Sequence, residues 1–475
     1  MALPHAKGQP ALLAKENLTQ CGQGPGHEQA AQKSWLARHP DLGTLTQFAP
    51  ASCGQDNFGV EPSPRSVQQY PPDSMSEPLE KTFAEFFAGI GLMRIGLERA
   101  GWSIAFANDI DEDKWHMYRD HFGDTGEFIP GDVHKLDAAT VPTVALATAS
   151  FPCNDLSLAG ARKGLEGAHS SAFWGFIEVL TKMGPRRRPP MVLLENVTGF
   201  LTSNEGNDFR DALLALNRLG YAVDTFIIDA LRFVPQSRQR LFVIGQKTKH
   251  VSALNDSPRF YESDSRPGAL ADFIIWNPDI NWLIRKLPPL PSSTKRLDDV
   301  LENLSPNSQM WWSRDRCDYL LRQMSPKHRA QADKMIAGDR TTYGTVFRRV
   351  RYGRSMAELR TDGIAGCLRT PRGGSGRQIL FAAGKGRFAV RLLTPRECAR
   401  LMGADDFNIN VPINQALFGF GDAVCVPVIE WIACNYLNPV WTEQYAQEDP
   451  EKIAETTVTY RISRRPRSKA ARPSV

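Results

Sequence analysis

The clearest indication of the fold is the stretch Thr82-Phe83-Ala84-Glu85-Phe86-Phe87-Ala88-Gly89-Ile90-Gly91. Its first half is an apolar run that predicts a buried strand, and Gly89 and Gly91 then allow the backbone to approach a ligand closely. Apolar residues follow at helical spacing from Leu92 to Ala100, and Gly101 ends the helix. A strand, a glycine turn and a helix in this order predict the first unit of an open α/β sheet.

The same alternation continues along the next part of the chain. Further strands are predicted at 103–107, 144–149, 191–194, 225–228 and 241–244, and helices at 113–121, 173–183 and 207–219. Because strands alternate with helices, we predict a doubly wound, Rossmann-like α/β domain over residues 79–249. The hydrophobic content of 42% is enough for a sizeable core.

The remaining segments differ from this domain in composition and in hydrophobic periodicity. Residues 1–78 are rich in Gln, Gly, Pro, Ala and Ser, which predicts a disordered extension. Residues 250–388 contain many prolines and no repeating βαβ pattern, so we predict a smaller, irregular domain there. Helical spacing resumes over 389–440, which predicts a return to the first domain, and 441–475 reads as a charged tail.

Composition excludes several classes of protein. No run of about 18 apolar residues is present, so no membrane span is predicted, and no secretory signal is visible. None of the eight cysteines forms a CxxC pair, so we predict neither a zinc site nor any other metal, and a reducing cytoplasm is the expected compartment. The net charge of +5 permits nucleic-acid binding without requiring it.

A cysteine follows one of the predicted strands. In Phe151-Pro152-Cys153 the proline ends the apolar run, which places the thiol at the carboxyl end of a strand, where open α/β sheets bind ligands. A thiol needs helpers to act as a nucleophile, and Glu195, Arg238 and Arg240 beside later strands are candidates. Taken singly, Cys153 could be a buried structural thiol, Glu195 a helix N-terminal charge, and the arginines a solvated surface pair.

Acids follow two neighbouring strands. Asp109 and Asp132 could hold the ribose and base amine of a nucleoside, although either could instead be a helix cap. Gly89 and Gly91 lack the third glycine of a dinucleotide fingerprint, and no Walker-type lysine motif occurs, so phosphoryl transfer is disfavoured.

In this order the segments resemble the motifs of the DNA cytosine-5 methyltransferases, from about Lys81 to Tyr436. The matching segments are 86–91, 108–111, 131–133, 151–153, 195–197, 236–240, 391–402 and 421–427. This chain has Asp109 where the family more often has Glu, and Asp422-Ala423 where it usually has Asn-Ser. Asn154 stands where Gln is common, and 169–173 replaces a motif that usually contains Arg-Gly.

The resemblance implies S-adenosyl-L-methionine as methyl donor and cytosine in duplex DNA as substrate. The residues implied in cofactor binding are Phe87, Gly89, Gly91, Asp109, Ile110, Asp132, Val133, Pro152, Asp422 and Ala423. Cys153 would add to carbon 6 of the base. Glu195 would hold the N3 edge and Arg240 the O2, while Arg238 would help position the site and the Cys153 loop.

The resemblance also makes residues 250–388 the target-recognition domain. On the polar segment after Cys153, Ser157, Arg162 and Lys163 are candidate DNA-binding residues, and the two cations could reach phosphates. Arginine suits bidentate guanine contacts, which makes further candidates of Arg348, Arg349, Arg351, Arg369 and Arg372. A monomer in a bacterial restriction-modification system, with a cognate endonuclease as a functional partner, is expected by analogy. The alternatives are a tRNA cytosine-5 methyltransferase and a catalytically silent DNA-binding relative.

Overall fold

A computed structural model of the chain describes residues 80–152, 171–351, 353–370 and 376–445, all within one compact unit. Several predicted site residues lie outside the described residues, namely Cys153, Ser157, Arg162, Lys163 and Arg372. The same holds for the predicted extension 1–78 and for most of the predicted tail 441–475.

Seven strands form the larger sheet. They are β1 (Thr82–Phe86), β2 (Ser103–Asp109), β3 (Phe128–Pro130), β4 (Leu146–Ala149), β5 (Met191–Val197), β6 (Tyr221–Asp229) and β7 (Gln239–Lys247), in the order β3-β2-β1-β4-β5-β7-β6. β1 to β5 pair in parallel, and β7 pairs antiparallel with β5 and β6. The order reverses direction between β1 and β4, which is the point where open sheets of this kind bind ligands.

Helices cover this sheet; those that begin at Leu92, Glu112, Ser171 and Asn207 start close to where the sequence predicts them, and three further helices were not predicted. They are α1 (Leu92–Arg99), α2 (Glu112–Phe122), α3 (Ser171–Lys182), α4 (Gly184–Arg187), α5 (Asn207–Arg218), α6 (Pro258–Tyr261) and α7 (Gly268–Trp276). Alternate residues of one strand enter different cores: Phe83 of β1 packs into one, and Ala84 and Phe86 into the other. The prediction of a doubly wound, Rossmann-like α/β fold is confirmed.

The turn between β1 and α1 depends on glycine. Gly91 adopts φ 82°, in the left-handed region, and a Cβ atom there would lie 2.4 Å from Cε2 of Phe122. Any side chain at this position would therefore strain the backbone and displace α2.

Within the region predicted to be irregular, the structure has a second, antiparallel sheet. Its strands are β8 (Thr342–Arg351), β9 (Arg354–Arg360), β10 (Ile379–Gly384) and β11 (Arg387–Leu392), in the order β11-β10-β8-β9. Helices α8 (Arg314–Arg322) and α9 (Pro326–Ala337) pack on it around a separate small core. β8 and β9 are partly exposed, so these two strands lack the continuous apolar runs that mark the parallel strands, whereas β10 is buried along its whole length.

The domain limits at 250 and 388 stay a prediction. Leu270, Ile274 and Trp282 pack into the core of the large sheet, and Leu297 packs on its other face. The first core residue of the small sheet is Cys317. This packing favours a start for the second domain well after residue 250.

The chain returns to the large sheet through its last helices. These are α10 (Pro395–Leu401), α11 (Ile413–Asp422), α12 (Val426–Ile432) and α13 (Asn438–Tyr445). The segment Ile413–Gln444 is long and apolar enough to cross a membrane, but 61% of its most apolar window is buried inside the fold. Phe420 and Ile429 are fully buried, so we interpret this segment as core helices.

Candidate active site

Polar groups from neighbouring strands meet at the carboxyl edge of the parallel strands. The Gly89 amide after β1 donates to Oδ2 of Asp109 at the end of β2 (2.8 Å). The Asn196 amide of β5 donates to the carbonyl of Phe151, two residues after β4 (3.2 Å). One bond joins the ends of β1 and β2 and the other joins the ends of β4 and β5, and the parallel pairing of β1 with β4 places both at the same edge.

Asp109 is a buried acid at this edge of the sheet. Besides Gly89, its Oδ1 accepts a bond from the amide of Asp111 (2.9 Å), and only 7% of the residue is exposed. Burial raises the pKa of Asp109, although Lys114 and the two amides oppose the rise. Asp109 is not a helix cap, because Asp111 is the residue that caps α2.

Asp132, in contrast, is a helix cap, which is the alternative that the sequence left open for it. Its Oδ1 accepts from the amide of His134 (3.0 Å), and it caps the short helix Val133–Lys135. Val133 is buried, and a Cβ atom at Gly175 of α3 would lie 2.7 Å from its Cγ1. The structure therefore gives both residues a structural role, and their contact with a cofactor stays a prediction.

The turn after β1 leaves room for a ligand. Phe87 and Gly89 both adopt φ 57°, and the nearest atom to a Cβ built on Gly89 is Cδ of Lys114 at 3.9 Å. Ile110, next to Asp109, is 67% exposed although it is apolar. A nucleoside could meet an open backbone turn, a carboxylate and an apolar surface here.

Glu195 and Arg240 form a buried ion pair at the end of β5. Arg240 Nε lies 2.9 Å from Glu195 Oε1, and the two side chains are 17% and 8% exposed. Glu195 lies in the strand, so the reading as a helix N-terminal charge is wrong. The pair places a carboxylate and a guanidinium side by side, which is suited to binding the polar edge of a planar base.

Arg238 is fully embedded, so the reading of a solvated arginine pair is also wrong. Its Nη1 donates to the carbonyl of Leu368 (2.8 Å), and its Nη2 to the carbonyls of Ala423 (2.6 Å) and Gly421 (3.2 Å). Burial lowers the pKa of Arg238, and neighbouring Arg240 lowers it further. Arg238 thus joins β7 to the segment leading into the small sheet and to the end of α11.

Asn196 is a site residue that was not singled out from the sequence. It lies within the quoted 195–197 motif, but its role appears only in the structure. Its side chain holds the Phe151 carbonyl and accepts from the amide of Val197 (2.8 Å). Because Phe151 and Pro152 lead into Cys153, Asn196 fixes the start of the segment that carries the predicted nucleophile.

Cys367 is a second residue that sequence reasoning missed. Arg238 Nη1 lies 3.4 Å from its Sγ. Burial alone would raise the pKa of this thiol, but Arg238, Arg240 and Arg369 together hold the pKa below its ordinary value. The sequence did offer one indication of a role for Cys367, namely its position two residues before the predicted DNA-binding residue Arg369. A polarised thiol therefore lies beside the Glu195–Arg240 pair.

Asp422 meets a cation from α2. Lys114 Nζ lies 2.9 Å from Asp422 Oδ2, although the two residues are 308 positions apart. The neighbouring Ala423 contributes its carbonyl to Arg238. The charge that the acid introduces is therefore paired within the protein.

The predicted DNA-binding arginines of β8 differ in their partners. Arg351 Nη2 lies 2.8 Å from Glu358 on the adjacent strand, and Arg349 Nε lies 3.8 Å from the same carboxylate. Arg348, on the other face, lies over the Trp312 ring at 5.8 Å. Arg369 is exposed in the segment between β9 and β10.

Two further arginines share the environment of Arg348. Arg316 lies 3.8 Å from the centroid of the same Trp312 ring. Burial lowers the pKa of Arg316, and the neighbouring cations Arg348 and Arg377 lower it further. Among the described residues, no acid forms an ion pair with Arg316, Arg348 or Arg377. We call these three residues the arginine cluster.

Metal ligands are not grouped in the part of the chain that the structure describes. Within it, no three His, Cys, Asp or Glu side chains are placed to hold an ion.

Comparison with known proteins agrees with these features. The type II methyltransferase M.DsaV of Dactylococcopsis salina is 30% identical over 375 residues, covering 78% of this chain and 90% of the relative. M.HhaI of Haemophilus parahaemolyticus is 25% identical over 358 residues, covering 74% and 93%. The Dnmt2 methyltransferase of S. pombe has a similar fold, with a TM-score of 0.50 and 19% identity over 76% of this chain and 98% of that one.

The family model describing C-5 cytosine-specific DNA methylases matches residues 81–438, which include both sheets and the carboxyl edge of the larger one. The chain therefore belongs to the C-5 cytosine-specific DNA methylase family.

Proposed function

We propose that this chain methylates carbon 5 of a flipped-out cytosine within a specific duplex DNA sequence, through a covalent bond to Cys153. The observation that carries the proposal is the buried Glu195–Arg240 pair, which lies at the same sheet edge as the Phe151 carbonyl held by Asn196. That edge presents base-binding groups next to the segment from which Cys153 continues.

The chemistry needs a nucleophile because carbon 5 of cytosine is a poor one by itself. Addition of the Cys153 thiolate to carbon 6 forms a carbon–sulfur bond and moves electron density to carbon 5. This divides one difficult step into easier ones. After methylation, removal of the carbon 5 proton and breakage of the carbon–sulfur bond restore the thiolate; water is a plausible base.

Glu195 and Arg240 act on the base itself. Glu195, held by Arg240, would share a proton with N3 and stabilise charge that develops on addition. Arg240 would use a remaining N–H to bind O2. Arg238 does not contact the base, because both of its Nη groups are already bonded to backbone carbonyls, and it acts as a positioning residue.

The described residues fit S-adenosyl-L-methionine as the cofactor. Each Asp109 oxygen accepts one amide bond and keeps a lone pair for a ribose hydroxyl. Gly89 leaves backbone space, and exposed Ile110 offers an apolar surface. Phe87, Gly91, Asp132, Val133, Pro152, Asp422 and Ala423 complete the proposed set. When bound, the cofactor supplies an activated methyl group on its sulfonium.

DNA enters through base flipping, since carbon 6 is inaccessible inside a stacked duplex. Flipping costs a few kcal/mol and must be offset by contacts to the base and to the DNA. Ser157, Arg162 and Lys163 after Cys153 would supply such contacts.

The small sheet would read the target sequence. Among the residues that the structure describes, the arginine cluster has no acidic partner, whereas Arg349 and Arg351 are partly neutralised by Glu358. We therefore expect Arg348, with Arg316 and Arg377, to contribute more to DNA binding than Arg349 or Arg351. Arg369 and Arg372 complete the proposed surface.

The biological setting is proposed by analogy. The relatives named above are type II methyltransferases of bacteria, and by analogy with them we propose a monomer that protects DNA in the cytoplasm of a bacterium, opposite a separate endonuclease. A tRNA substrate is the alternative. The second sheet between β7 and α10 favours duplex DNA, because RNA recognition relies more on shape and single-stranded elements.

A tritium-transfer assay with labelled S-adenosylmethionine separates the candidate functions. We expect incorporation into duplex DNA, at carbon 5 of cytosine, and none into tRNA or without nucleic acid. Incorporation into tRNA alone would support the alternative substrate, and no transfer despite DNA binding would indicate a silent relative.

A further inference from the structure

Lys114 of α2 crosses the proposed cofactor site. Its ammonium reaches Asp422 at the end of α11 (2.9 Å) and lies 4.0 Å from Asp111 Oδ2. Its aliphatic chain lies over the turn after β1, since a Cβ atom on Gly89 would be 3.9 Å from Lys114 Cδ. The cation is therefore located where the glycine turn, α2 and α11 come together.

The surroundings of Lys114 keep it charged. Burial would lower the pKa of its ammonium, but Asp422 and Asp109 outweigh burial and raise the pKa above its ordinary value. Its side chain is 18% exposed and that of Asp422 is 42% exposed. The Lys114–Asp422 ion pair is therefore partly desolvated and lies next to the turn at Gly89, and Asp422 is its more exposed member.

We infer that Lys114 binds the carboxylate of the methionine portion of S-adenosylmethionine and that Asp422 binds its ammonium. The inference rests on the proposed function. An amino acid zwitterion carries one charge of each sign, and the Lys114–Asp422 pair offers a partner to both. An ammonium has three N–H donors, so Lys114 can hold Asp422 and a ligand carboxylate together.

The need for Lys114 follows from Asp422. By resemblance, an amide stands at this position in the family, and an acid there would repel the carboxylate of the cofactor. A cation 2.9 Å away removes that repulsion and adds a charge-assisted bond. An ion pair that merely joined α2 to α11 would stabilise the fold and would not distinguish between ligands.

Calorimetry with two ligands separates these roles. S-adenosylmethionine has the carboxylate, and decarboxylated S-adenosylmethionine lacks it but keeps the ammonium and sulfonium. Lys114→Met should weaken binding of the first by about 10–100-fold and change binding of the second little. Lys114→Arg should keep most of the affinity. Lys182→Met, which breaks a surface pair with Glu178, is the matched control and should change neither.

A second variant tests the charge argument. Asp422→Asn, added to Lys114→Met, should restore part of the affinity for S-adenosylmethionine, because the acid that repels the carboxylate is gone while the amide oxygen can still accept a bond from the ammonium. Thermal melting without ligand verifies that each variant is folded.

Two outcomes would overturn the inference while leaving the proposed function intact. One is a wild-type protein that binds S-adenosylmethionine no better than Lys114→Met does. The other is a Lys114→Met variant that loses affinity equally for both ligands. Failure of the wild-type protein to bind S-adenosylmethionine at all would overturn the proposed cofactor as well.

Discussion

The carboxyl edge of the seven-stranded sheet and the surface of the four-stranded sheet both carry charged side chains, but they hold them differently. At the edge, Glu195 and Asp109 are buried and each accepts short bonds. On the small sheet, Arg351 is 53% exposed, and the arginine cluster has no acidic partner among the described residues. Fixed, desolvated groups suit chemistry on one base, and exposed cations suit contact with a long polyanion.

The largest effect is expected at the nucleophile. Cys153→Ser should lower methyl transfer at least about a thousandfold, because a hydroxyl is far less ionised than a thiol at neutral pH. Turnover of labelled methyl into DNA measures the loss, and DNA binding by gel shift should be retained. Near-normal turnover of this variant would rule out the covalent mechanism.

A matched pair of glutamates compares the two sheets directly. Glu195→Gln should lower kcat by about 10²–10³-fold, since it removes a charge that acts on the base. Glu358→Gln on β9 removes a carboxylate that also pairs with arginine, but it should leave kcat within a fewfold of the wild-type value. Equal losses in steady-state assays of the two variants would mean that the sheets are not functionally distinct.

Arginines of the two sheets carry the same charge, but they are expected to contribute differently to the free energy of unfolding. Arg238→Met leaves buried carbonyls of Leu368 and Ala423 without a donor, so the free energy of unfolding should fall by about 3 kcal/mol. Arg351→Met removes an exposed pair and should cost less than about 1 kcal/mol. Urea titrations measure both, and a small loss for Arg238→Met would show that its buried contacts contribute little.

The two faces of β8 give the next comparison. Arg348→Ala should reduce the salt dependence of DNA binding by about one unit of slope. Arg349→Ala should reduce it less, because Glu358 already neutralises part of its charge. Binding isotherms across a salt series give the slopes, and the reverse order would place DNA on the opposite face of the small sheet.

Glu85 differs from the other buried acids of the large sheet because one of its carboxylate oxygens has no hydrogen-bond partner among the described residues. Its substitution is expected to have the smallest effect of those considered. Glu85 is 2% exposed, and the oxygen without a partner is Oε2. Burial raises the pKa of Glu85 well above its ordinary value of 4.5, against an opposing effect of Arg94. The native state therefore binds more protons than the unfolded state, and this residue makes stability fall as the pH rises above about 4.5.

Glu85→Gln should remove that pH dependence and raise the free energy of unfolding at pH 7 by about 1 kcal/mol. Denaturation at pH 5 and pH 7 measures the difference between variant and wild type. A variant that is less stable than wild type at pH 7 would show that the ionised carboxylate is stabilised by Arg94 after all.

Local pattern was enough to predict the larger sheet. The apolar run before Gly89 and the helical spacing after Gly91 each depend on residues close in sequence. Asp109 lies at the end of β2, whereas Glu195, expected after a strand that ends at 194, lies within β5, which continues to Val197. The small sheet was missed because β8 and β9 are partly exposed and rich in arginine, and because the buried run of β10 is followed by a hairpin to β11 rather than by a helix. Asn196 and Lys114 were missed for a different reason: their partners, Phe151 and Asp422, are 45 and 308 residues away.

We propose above all that Cys153 is the nucleophile of this enzyme and that the sheet edge positions it. The most direct measurement is the intact mass of the protein after incubation with S-adenosylmethionine and duplex DNA containing 5-fluorocytosine at methylated sites. Because the carbon 5 fluorine cannot leave as a proton does, we expect a stable protein–DNA adduct. Peptide mapping should locate it at Cys153, and Cys367→Ser should form it equally well. No adduct under conditions of normal methyl transfer, or an adduct at Cys367, would contradict the account.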